Sequence, residues 1–147
     1  SYYMDWRDAY TWLQRDLDRA GHHWDFLHFD KPFDRPRNGV TSPQGLVWTW
    51  DHFIEVQDFV QQELGILFGL NCEDLQGGRL GDDAWRRFIL DGVATFVEHG
   101  GHADRYILTA FGAPPDSTVP DTLGALPPEG AAALRIYREL MTSAAAG

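Results

Sequence analysis

A chain of 147 residues with a formal net charge of -10, from 12 Lys and Arg against 22 Asp and Glu, suits one domain and disfavours a phosphate backbone or an anionic membrane surface as its ligand. Hydrophobic residues at 44% and aromatics at 14% exclude a disordered profile. The single cysteine, Cys72, excludes an intrachain disulfide and a cysteine-built zinc site; with no leader-like start, the expected setting is the reducing cytoplasm. Ser1-Tyr2-Tyr3 ahead of Met4 read as an expression remnant, and no apolar run approaches the roughly 18 residues of a membrane span.

The first predicted helix covers residues 5–20. Trp6, Ala9, Tyr10, Leu13, Leu17 and Ala20 recur at three- and four-residue spacing, with Asp5 as cap and Gly21 as stop. Trp12 projects from the opposite, charged face and is expected to be covered by another element rather than to stand exposed. Residues 24–29 alternate as a strand, Trp24, Phe26 and His28 against Leu27 and Phe29. Their expected partner is the alternating run 46–50, in a two-stranded hairpin.

At Asp51 the period changes from two to 3.6. Phe53, Val56, Val60 and Leu64 share a helical face, flanked by Phe59 and Ile54, and Gly65 is the stop. Asp51, Glu55, Asp58 and Gln62 fall on the opposite face. No Lys or Arg occurs between Arg37 and Arg79, so these carboxylates have no cationic neighbour four residues away. Asp51 and Glu55 are tolerated near the positive helix start.

Residues 66–70 either continue that helix or form a strand, and Gly77-Gly78 with Gly81 marks a turn. A helix over 82–99 carries Trp85, Phe88, Ile89, Val93 and Phe96, with Asp82 or Asp83 as cap. Gly92 lies on that apolar face, where a helix normally prefers Ala, so a neighbouring helix is expected to cross closely there. A short helix is predicted over 104–111. The expected organisation is a globular helical domain over 4–112, a Pro-rich tether over 113–128, and a C-terminal helix within 129–147. The fold class expected is a mainly α single domain of about five helices, with or without a small two-stranded β element; α+β is the alternative.

Two chemistries have candidate residues. Protein recognition would use Trp48, Trp50, Asp51, Glu55, Asp58, Phe59 and Gln62, an acidic row edged by aromatics that matches a basic, partly apolar partner. Metal-assisted hydrolysis would draw on His22, His23, His99 and His102, but His99 and His102 are split by two glycines and lack the one-face spacing of a helical zinc pair. Asp51 and His52, adjacent on a helix, point about 100 degrees apart and do not face each other. Cys72 lies beside Glu73 and Asp74, a poor setting for a thiolate nucleophile. The function expected is therefore that of an acidic inhibitor or antitoxin/immunity-like protein engaging a basic partner. No cofactor or nucleic acid is implied, and a homo-oligomer is allowed.

Overall fold

The computed structural model describes residues 5–41, 45, 47–74 and 82–109. Asp5 accepts the backbone N–H of Arg7 at 2.9 Å and opens α1 (Trp6–Arg19). Gly21, at a φ of +76°, turns the chain out of it. Strand β1 (Phe26–Phe29) follows, Leu27 and Phe29 buried and Phe26 and His28 exposed, as its alternation requires. The short α2 (Asp34–Asn38) ends at Gly39 in the left-handed conformation. Helix α3 (Trp50–Asp58) begins with a reciprocal cap: the Thr49 hydroxyl accepts the His52 N–H, and the Thr49 N–H points to His52 Nδ1 at 3.2 Å. Over Phe59–Glu63 this helix widens into a π-turn, and Gly65 leads out of it with a φ of +67°.

The chain then enters β2 (Leu67–Cys72), crosses through α4 (Asp82–Glu98) and returns as β3 (Arg105–Leu108). The three strands form one parallel sheet in the order β1-β2-β3, in register Leu27 with Phe68 and Leu70 with Tyr106. Parallel neighbours need crossover connections, and α3 and α4 lie within them. Leu27, Phe29, Phe68, Leu70 and Cys72 share one sheet face and join Phe53, Val56, Val60 and Leu64 of the α3 segment with Trp85, Ile89, Val93 and Phe96 of α4 in the buried core. Phe29 meets Phe53 edge-on with ring centroids 4.9 Å apart, and Phe68 stacks on Phe96 at 6.3 Å.

This α/β arrangement replaces the mainly α fold of five helices. Strand β1 pairs with β2 in parallel, not with residues 46–50 in a hairpin; Trp50 belongs to α3, and Val47 makes only an isolated bridge with Thr41. The helix predicted over 104–111 gives way to β3, because Tyr106, Ile107 and Leu108 complete the sheet beside Leu70 to Cys72. Gly92 does admit a close neighbour, but it is the Phe33 ring rather than a crossing helix. Trp12 is 53% exposed, with only the Arg15 guanidinium 5.8 Å from its ring, so its expected cover is absent among the described residues. The tether over 113–128, the helix within 129–147 and the glycine turn over 77–81 lie outside the described residues. Among the described residues no helix is long and apolar enough to cross a membrane.

Candidate functional site

The buried row of α3 decides where its polar row must point. With Phe53, Val56 and Val60 facing the core, Asp51 and Glu55 turn outward. The Asp51 side chain is 87% exposed, and His99, just after α4, brings Nδ1 to 3.1 Å from its Oδ1. Glu55 is paired with Arg7 of α1. Arg7 and His99 both come from 48 positions away, so the row is less bare than its local sequence suggests. Asp58 is half-buried, 3.4 Å from the Gln57 amide, and Gln62 is exposed on a shallow recess it shares with Gln61, Leu67, His102 and Asp104.

The aromatic members divide. Trp50 is half-buried, its ring 5.4 Å from Phe53, 5.7 Å from Phe33 and 6.4 Å from His99. Trp48 packs on Phe29 and Phe53 and carries Lys31 Nζ 5.4 Å over its ring. Phe59 cannot edge the acidic row: it is 3% exposed and belongs to the core, closed over by Trp6 of α1 at 5.0 Å. The predicted set is thus reduced to Trp48, Trp50, Asp51 and Glu55 around the start of α3, with Asp58 and Gln62 farther along it.

Beside this row lies a cleft of about 610 Å³ between α1, the end of β1 and the start of α3. Trp6, Tyr10, Phe29 and Trp48 supply its apolar walls; His28, Asp30, Lys31, His52 and Glu55 supply its polar groups. A mostly apolar concavity with a few convergent polar groups is the usual form of a binding site. Of these residues the sequence singled out only Trp48 and Glu55 for binding. The available signals for the others were the four-residue spacing of Trp6 and Tyr10 and the position of Asp30-Lys31 directly after a strand, where sites of parallel sheets gather.

The alternative metal residues do not converge. His23 Nδ1 lies 3.0 Å from Asp18, His99 serves Asp51, and the His102 N–H donates to Gln57 Oε1 at 2.6 Å with its Nδ1 3.2 Å from Gln57 Nε2. His22 is exposed after α1. Among the described residues no group of three or more His, Cys, Asp and Glu side chains could hold a metal ion. His52 caps α3 instead of facing Asp51. Cys72 is wholly buried, and burial, not its acidic neighbours, pushes its thiol far above the usual range. Near the sheet's carboxyl end, Arg37 joins the buried Asp74 and donates to the Phe88 carbonyl at 2.8 Å, tying α2 to α4.

One carboxylate is specialised in another way. Burial pushes the Asp104 carboxyl up, but the Gln61 amide at 2.9 Å, the Phe68 N–H at 2.8 Å and the nearby His102 together hold it below its ordinary value. This network joins the π-turn, β2 and the start of β3.

No protein-family model, curated protein or solved structure matches the chain.

Proposed function

We propose that the protein binds a basic protein partner in the cytoplasm through the first half of α3, as an inhibitor or immunity-type protein does. The observation that carries this reading is Asp51: a carboxylate 87% exposed, one residue into a helix, flanked in sequence by half-buried Trp50 and Trp48. Half-buried tryptophans give a partner apolar area without loss of side-chain freedom, while exposed carboxylates steer a cationic surface toward it. The net charge of -10 extends that steering to distances near the Debye length.

The test replaces Asp51→Asn, Glu55→Gln and Asp58→Asn together, with circular dichroism confirming an unchanged fold. A partner recovered from native cytosol at low salt is purified and titrated against both proteins. The triple variant is expected to bind at least about tenfold more weakly, with a flatter dependence on NaCl. Equal affinity for the two proteins removes α3 as the contact face.

A further inference from the structure

We propose that the cleft between α1, the end of β1 and the start of α3 receives an arginine side chain of the basic partner, in the position Arg7 now holds against Glu55; this rests on the reading of α3 as the binding face. The chain's own cations display the chemistry. The Arg7 guanidinium carbon lies 4.7 Å from the Trp6 ring centroid while the same group pairs with Glu55. Lys31 Nζ lies 5.4 Å from the Trp48 centroid. An aromatic face beside a carboxylate is what a planar guanidinium uses best, stacking and donating at once, whereas an ammonium offers only a point charge.

The cleft is large enough for a long side chain, at about 610 Å³, and Trp6, Tyr10 and Trp48 line it together with two carboxylates, Glu55 and Asp30, against one ammonium, Lys31, which already lies over Trp48. Asp30 is already oriented, accepting the Asn71 amide at 2.7 Å. His52, which also lines the cleft, has its Nδ1 3.2 Å from the Thr49 backbone nitrogen in the helix cap, so that ring nitrogen is already engaged. Arg7 and Glu55 are 40% and 44% exposed, and ion pairs so open to water are weak. An incoming guanidinium can therefore exchange with Arg7 at little cost, and Arg7 acts as a competitor held in place by α1.

The probe is the peptide acetyl-Gly-Arg-Gly-Arg-Gly-amide, titrated into the whole protein at low salt and followed by the NMR signals of the six tryptophan indole N–H groups. The peptide with citrulline for arginine keeps the shape and removes the charge. The arginine peptide is expected to move the Trp6 and Trp48 signals, and the citrulline peptide to leave them unmoved. Glu55→Gln should weaken the arginine peptide about two- to fivefold, while Arg7→Gln, which removes the competitor, should strengthen it by a similar factor. Circular dichroism and the unperturbed indole signals report that each variant is folded. Weaker binding by Arg7→Gln, or peptide binding that moves neither Trp6 nor Trp48, overturns the socket. If Asp51→Asn then abolishes the binding that Glu55→Gln spares, α3 survives as the binding face and only the socket is lost.

Discussion

Gly92 stands where the Phe33 ring needs the space of a side chain. A Cβ built there would lie 2.1 Å from Phe33 Cδ2 and 2.6 Å from Cγ, and Phe33 itself is fully buried. In an exposed helix, replacing Gly with Ala stabilises by about 1 kcal/mol. Here the sign should reverse, because the contact is with the root of a packed ring rather than the far end of a flexible chain. Gly92→Ala is expected to cost about 1 to 3 kcal/mol in urea denaturation, in line with overpacking elsewhere. A raised midpoint would show that Phe33 can move aside. The sequence indicated a close approach at this position, since a glycine in an apolar helical face requires some compensation. It could not reveal that a residue nearly sixty positions away supplies the contact.

At the scale of elements, the helices were easier to read than the sheet. α1 and α4 show a 3.6-residue period, and their starts and stops agree with the structure to within a residue or two over the described positions, whereas the helix expected to run from Asp51 to Gly65 is α-helical only through Asp58 and continues as the π-turn Phe59–Glu63. β2 reads Leu67-Phe68-Gly69-Leu70, a short run without alternation, because a central parallel strand is buried on both sides. Such a run resembles a helix end as much as a strand, and the link from β2 to β3 runs through Asp104, which no local pattern announces. Its lowered pKa has a direction that can be checked. A carboxylate held below its ordinary value of 3.8 in the folded state stabilises the fold fully above that value, and the contribution is lost as pH falls through the lowered folded pKa. Asp104→Asn keeps an oxygen for Gln61 and Phe68 but removes the charge. The variant should therefore be less stable than the parent at neutral pH, and the difference should shrink in the acid range below 3.8. Urea titrations at stepped pH measure this; a gap that stays constant to the acid limit would mean that the charge of Asp104 carries no stability.

Across the whole molecule, charge is the property sequence reading captured best in sum and least well in detail. The acidic interval between Arg37 and Arg79 is real, but Arg7 and His99 reach into it from α1 and from the end of α4. Pairs separated by 48 positions are set by topology, so the acidic row lacks cationic neighbours only within its own helix. The balance of these effects governs how the fold responds to salt. Exposed pairs such as Arg7 with Glu55 act at contact and contribute little, whereas the net charge of -10 repels itself over the whole surface, at distances that dilute salt does not screen. Raising NaCl from about 10 to about 200 mM shortens the screening length from roughly 30 Å to under 10 Å. Repulsion in the compact state should fall more than the few contact pairs lose, so the urea midpoint of the isolated protein should rise with NaCl. A midpoint that falls would mean that the cross-element pairs outweigh the net charge. In a complex with a basic partner the sign inverts, because the same salt screens the attraction between the two surfaces. Stability of the free protein and affinity for its partner should therefore move in opposite directions along one salt series.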